Sequence, residues 1–176
     1  MNTTTGIERL RGLAVVVMCL LVAAAAGKSL LPASAPAEYP DEMPPAPYAR
    51  GEAIQPIKDL ESHRRTLLMV ISPNCKFCTK SMPFYQRLMA DRSSKKYDAQ
   101  VVAFYLPVDN EESVRAYMES FGVKPDLVLP FPHEILGRLS GTPSLVLVDS
   151  KNAVVGSWRG MLNKEGEEEL LKAIGF

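Results

Sequence analysis

Cys75-Lys76-Phe77-Cys78 sets two thiols three residues apart. The motif follows an apolar run from Thr66 to Ile71 and a short Ser72-Pro73-Asn74 connection, and it opens a stretch that reads as helix from Thr79 to Ala90. Positions three apart at a helix start share one face, one turn apart. Their Cα atoms then lie roughly 5–6 Å from each other, the separation a disulfide requires. The helix N-terminus adds unpaired N–H groups and a partial positive charge, which favour thiolate over thiol. Cys75 is therefore the expected nucleophile and Cys78 the residue that resolves the mixed disulfide. Lys76 is either a second source of positive charge that lowers the Cys75 pKa or a solvated surface lysine. Phe77 is either an apolar rim for a partner chain or a core residue at the helix start.

Other chemistries for the pair need more than the sequence supplies. A structural zinc site takes four ligands, yet the third cysteine, Cys19, lies in an apolar segment, and neither His63 nor His133 has a partner at ligand spacing. No metal ligands are expected. A purely structural disulfide over so short a loop would stabilise little. Two alternatives stay open: a module in which Cys75 and Cys78 hold a soft ion such as Cu(I), and a redox-inert, tethered binding module. His133 reads as a helix-start residue rather than a proton shuttle. Asp109-Asn110-Glu111-Glu112 reads as an N-cap with acidic residues in the first turn rather than a metal site. Arg87, Arg92, Lys95 and Lys96 read as a solvated helix end and loop, diluted by Asp91 and Asp98, rather than a lipid-binding patch.

The elements that must position the pair follow from periodicity. Thr66–Ile71 has the near-continuous apolar character of a central strand. Residues 98–106 form a second strand. Val114, Tyr117, Met118 and Phe121 mark an amphipathic helix over 111–121, with Gly122 at its stop. Short elements are expected at 126–129 and 133–139. Strands at 144–148 and 153–158 flank a hairpin signal at 149–152, and a closing helix covers 165–174. Alternating strands and helices that end in a hairpin and a helix imply an α/β fold, a mixed central sheet flanked by helices on both faces.

The chain totals agree with one such domain plus an appendage. There are 176 residues, 47% of them hydrophobic, and 20 acidic side chains against 20 basic ones. That balance gives no basic footprint for nucleic acid, and no phosphate-cradling glycine motif is present. At the N-terminus, Arg9 and Arg11 precede an uncharged run, Gly12 to Gly27, that Lys28 ends. Residues 1–31 read as a signal peptide, with Ala24 and Ala26 in small-x-small spacing, or as a retained signal anchor. The arginines should stay cytoplasmic and send the remainder across the membrane. Residues 32–53 read as a Pro-rich linker, a stiff stalk that favours the anchor. The folded domain is placed at 54–176.

Three local features resemble the thioredoxin superfamily over roughly residues 54–176: Cys75-Lys-Phe-Cys78 after a buried strand, Pro83 five residues on, and Ser140-Gly-Thr-Pro-Ser-Leu-Val-Leu-Val-Asp149. The helix inserted within 107–129, the signal-like start and Trp158-Arg-Gly160 are more similar to the extracytoplasmic TlpA-like branch. The resemblance implies a thioredoxin-like fold, a helix-kinking role for Pro83, and Pro143 as a cis-proline facing the redox pair. With it come a Thr142-Pro143 backbone edge for a substrate strand and a thiol–disulfide oxidoreductase with no cofactor beyond its own Cys75–Cys78 pair. The partners would be protein thiols and disulfides, including a redox partner protein, in the bacterial periplasm or at the outer face of the membrane. Three positions depart from the pattern. Asn74 stands where the reductase branch has Trp. Met69 stands where thioredoxin has a buried acid, and Ser81 where the TlpA-like branch has glutamate.

Overall fold

The computed structural model describes residues 43–58, 60, 63–94 and 98–175. The apolar segment and the stretch up to residue 42, and with them the expected signal or anchor, lie outside the described residues. Among the described residues no helix is long and apolar enough to cross a membrane.

The elements are β1 (Arg65–Val70), α1 (Lys76–Ser93), β2 (Gln100–Tyr105), α2 (Glu111–Ser120), β3 (Leu127–Pro130), α3 (His133–Leu136), β4 (Ser144–Asp149), β5 (Val154–Arg159) and α4 (Lys164–Ile174). The five strands form one sheet in the order β3-β2-β1-β4-β5. β1, β2 and β3 run parallel, while β4 runs antiparallel to both β1 and β5. The apolar run therefore sits at the centre, as its lack of polar alternation implies. Leu67, Met69 and Ile71 join one core, and Leu68 and Val70 the other. Each such aliphatic side chain removed from water contributes about 1.5–3 kcal/mol.

The two faces are covered unequally. Successive right-handed crossovers from β1 to β2 to β3 step in the same direction, so α1 and α2 fall on one face; α4 joins them through Leu170 and Ile174. The other face is closed by the single turn of α3, through Leu136, and by Tyr48 and Ile54. The packed chain thus reaches back into the stretch read as linker. Tyr48 donates its N–H to the Ser157 hydroxyl at 2.9 Å and accepts that hydroxyl's proton at its carbonyl at 2.8 Å. Ala53 bridges Ala153 in antiparallel register. An aromatic body that can be buried, with backbone groups that find a strand edge, outweighs the proline content locally.

α1 begins three residues earlier than the periodicity suggests and runs through Pro83. Pro83 has no N–H to offer the Thr79 carbonyl, yet the apolar face holds the helix together, with Met82, Tyr85 and Leu88 all fully buried.

Candidate active site

Cys75 is the N-cap of α1. Its backbone is extended, and its sulfur accepts the Cys78 N–H at 3.2 Å, the bond a serine or aspartate oxygen usually makes at this position. The helix start is thereby fixed by the reactive atom itself. Both cysteines are free thiols; Cys75 is half-buried and Cys78 fully buried. The Cys75 thiol donates to the Thr142 carbonyl at 3.0 Å. The Thr142–Pro143 peptide bond is cis. The loop that carries it is tied at two points: Ser144 Oγ donates to the Gly141 carbonyl at 2.9 Å, and the Gly160 N–H donates to the Pro143 carbonyl at 2.7 Å. Gly141 has φ +87°, which a residue with a Cβ rarely adopts. Because β4 lies beside β1, this loop and the start of α1 meet at one end of the sheet.

The two sulfurs have opposite proton affinities. Burial pushes Cys75 up, but the Cys78 thiol, the Thr142 hydroxyl and the N–H groups of Cys78 and Phe77 all favour its thiolate, and together they hold its pKa below the ordinary value. The Thr142 carbonyl contact belongs to the thiol form and is lost on ionisation. Cys78 is pushed up to about 12, by burial first and by Cys75 second. No carboxylate is among the groups that act on it. Met69 is fully buried in the core under α1, and Ser81 donates its hydroxyl proton to the Phe77 carbonyl at 2.9 Å. Both positions that hold an acid in the resembling families are thus apolar or neutral.

Lys76 is exposed, and the groups that hold the Cys75 proton affinity down are hydrogen-bond donors at the start of α1 and Thr142. A solvated ammonium is screened by water, which weakens its pull on the nucleophile. Phe77 is 54% exposed, so the core-packing alternative is excluded and the side chain stands at the rim. Val108, 83% exposed, lies in the loop after β2, at the same end of the parallel strands. No pattern in the sequence singles it out. Thr79 and Tyr117 share a hydrogen bond at 2.9 Å that ties α1 to α2. Tyr85, two turns below Cys78, is fully buried in the core.

The remaining candidates are accounted for structurally. Asn110 caps α2 through the Ser113 N–H at 2.9 Å. His133 opens α3 beside the Phe131 ring, 6.1 Å between centroids. Arg87 pairs with Glu167 at 2.7 Å and Arg92 with Asp126 at 2.6 Å, while Lys95 and Lys96 lie outside the described residues. Among the described residues no group of three or more His, Cys, Asp or Glu side chains could hold a metal ion.

Solved structures with the same fold include the thioredoxin domain of a thiol-disulfide oxidoreductase from Bacteroides vulgatus, at 16% identity over 73% of this chain and 99% of that one, TM-score 0.54. StoA from Bacillus subtilis is similar at 17% identity over 64% and 84% of the two chains, TM-score 0.51. A thiol-disulfide isomerase from Corynebacterium glutamicum is similar at 19% identity over 69% and 92%, TM-score 0.51. No curated protein matches the chain. The family model of the thioredoxin-like domain matches residues 55–175, and the chain belongs to that family.

Proposed function

We propose that this protein is an extracytoplasmic thiol–disulfide oxidoreductase that exchanges its Cys75–Cys78 pair with partner proteins. The observation that carries the reading is the division of labour between the sulfurs. One is half-exposed and surrounded by donors to its thiolate; the other is buried and holds its proton. In the reductive direction the Cys75 thiolate attacks a partner disulfide, forms a Cys75–partner disulfide and expels one partner thiolate. Cys78 then attacks Cys75, forming the internal disulfide and releasing the second partner sulfur as a thiol that takes up the Cys78 proton. The oxidative direction is the reverse. The half-exposed Thr142 beside Cys75 offers the partner a strand-like contact, and Phe77 an apolar one.

The location rests on Arg9 and Arg11 ahead of the apolar run and on the Pro-rich stretch after it. The stretch suits a tethered domain better than a released one.

Cys78→Ser should accumulate mixed disulfides through Cys75 with extracytoplasmic proteins, and Cys75→Ser should form none. Alkylation at neutral pH should label Cys75 before Cys78; the opposite order would sink the assignment. The reduction potential of the pair sets direction: about −270 mV suits a reductase and about −120 mV an oxidant. Fractionation with N-terminal sequencing tests location. A soluble mature chain starting at Gly27 refutes the tether, and a cytosolic protein refutes export altogether.

A further inference from the structure

The first turn of α1 aims its N–H donors at the Cys75 sulfur, and the helix holds that turn weakly. Its cap is a sulfur, a poorer acceptor than the usual oxygen. No acidic side chain stands in the turn to complement the helix end. One turn on, Pro83 has no N–H for the Thr79 carbonyl, so the ladder is broken where this turn joins the rest of the helix. Thr79 and Ser81 direct their hydroxyls back to the Cys75 and Phe77 carbonyls, at 3.4 Å and 2.9 Å, and such back-bonding loosens helices. Yet the N–H groups of Phe77 and Cys78 favour the Cys75 thiolate only while the turn stays wound.

A brace comes from outside the helix. The hydroxyls of Thr79 and Tyr117 lie 2.9 Å apart. With the Thr79 proton toward the Cys75 carbonyl, Tyr117 is the donor of this bond. Its end of the brace is firm. A capping box closes the start of α2. The Tyr117 ring packs against the core and meets Phe121 edge to face, 5.4 Å between centroids. Burial does most to raise the pKa of the phenol; the Thr79 bond lowers it, and the charges of Cys78 and Cys75 add to the rise. The group therefore stays a neutral donor. The charged and titratable groups that adjoin or act on Cys75 are Lys76 and Cys78 from α1 and Tyr117 from α2, and the cis-proline loop adds the neutral hydroxyl of Thr142.

We propose that Tyr117 is a positioning residue for the nucleophile: bonded to Thr79, it keeps the first turn of α1 wound, so that the Phe77 and Cys78 N–H groups stay aimed at the Cys75 sulfur. In taking Cys75 as the attacking atom, this rests on the exchange reading above. It also gives α2, which carries neither cysteine, a part in setting their reactivity.

Tyr117→Phe keeps the ring and deletes the bond. In the reduced, full-length protein, the rate at which iodoacetamide alkylates Cys75, followed against pH, reports its thiolate. In Tyr117→Phe the midpoint should move to higher pH, and the rate below the midpoint should fall about two- to fivefold, within the range of a neutral hydrogen bond. Thr79→Val removes the other partner and should move the midpoint in the same direction. The double variant should go no further than the larger single shift, because one bond is lost only once. Asn110→Ala is the control for a loosened α2: it should lower the denaturation midpoint and leave the alkylation profile in place. An unmoved midpoint in either single variant overturns the proposal, as do additive shifts in the double one. A profile that moves as far in Asn110→Ala assigns the effect to general loosening of α2 and overturns it too. Alkylation of Cys78 before Cys75 in the wild-type protein overturns the choice of nucleophile instead, and the exchange reading with it.

Discussion

The proton on Cys78 links redox chemistry to stability. An unfolded thiol titrates near 8.5, whereas the folded protein holds the Cys78 proton to about 12. Below about 8.5 both states are protonated and the contribution is whole. Between about 8.5 and 12 only the folded state binds the proton, so stability falls as pH rises, by about 1.4 kcal/mol per unit. Cys75 has the opposite sign: its folded value is depressed, so its contribution is present above the unfolded pKa and fades as pH falls through the folded one. The disulfide form has neither thiol. Denaturant unfolding of reduced and oxidised protein from pH 8 to 11 should therefore show the reduced form losing stability relative to the oxidised one. Parallel curves would show that Cys78 is not held protonated. At this scale the sequence was informative about the thiols and Pro143, because each has a chemical type that spacing makes conspicuous. For Lys76 the sequence could not tell the two readings apart, since proximity along the chain does not say how much water lies between two groups.

Among the elements, α2 and β5 give the sharpest tests. Asn110 and Ser113 form a capping box at the start of α2, the helix whose Tyr117 reaches Thr79 on α1. Asn110→Ala should cost about 1 kcal/mol, read as a lower denaturation midpoint with an unchanged slope. In β5, a Cβ on Gly156 would stand 2.5 Å from the Trp158 ring, which also donates its indole N–H to Glu169 at 3.1 Å. Gly156→Ala should cost about 1–3 kcal/mol and shift the fluorescence of Trp158, the sole tryptophan. Unaltered emission and stability would show that the ring has room to move. The strands were legible because each is a short run of buried apolar residues with turn chemistry at its ends. Asp149 at the hairpin accepts from the N–H groups of Lys151 at 2.8 Å and Ala153 at 3.0 Å. The start of α1 was not legible, because sulfur is an unusual cap and the rules for helix starts look for oxygen.

For the whole molecule, the N-terminal boundary of the packed domain matters most. Tyr48 is buried, bonded twice to Ser157, and overlaid by Arg138 4.0 Å from its ring centre. Arg138 is itself paired with Glu52. Tyr48→Ala should cost about 3 kcal/mol, the range for losing a buried aromatic side chain. A chain beginning at residue 54 should be destabilised at least as much relative to one beginning at residue 43. Equal melting temperatures for the two would show that the segment merely rests on the domain. Proline content concealed this contact, since composition describes a stretch on average and one aromatic residue decides where it docks.

The docked segment runs toward the reactive end of the sheet. Tyr48 lies opposite Ser157, Gly51 bonds to Val154 and Ala53 lies opposite Ala153, so the chain, followed toward lower numbers, climbs β5 toward Arg159. Met43 continues the climb, its sulfur accepting the Asn163 N–H at 3.5 Å. Gly160, at the top of that strand, is bonded to Pro143, and Thr142 touches Cys75. The first described residue, Met43, thus lies on the same side as the reactive sulfur. Were the preceding residues the tether proposed above, the thiol would face the surface to which it is fastened, and its clients would be proteins held there.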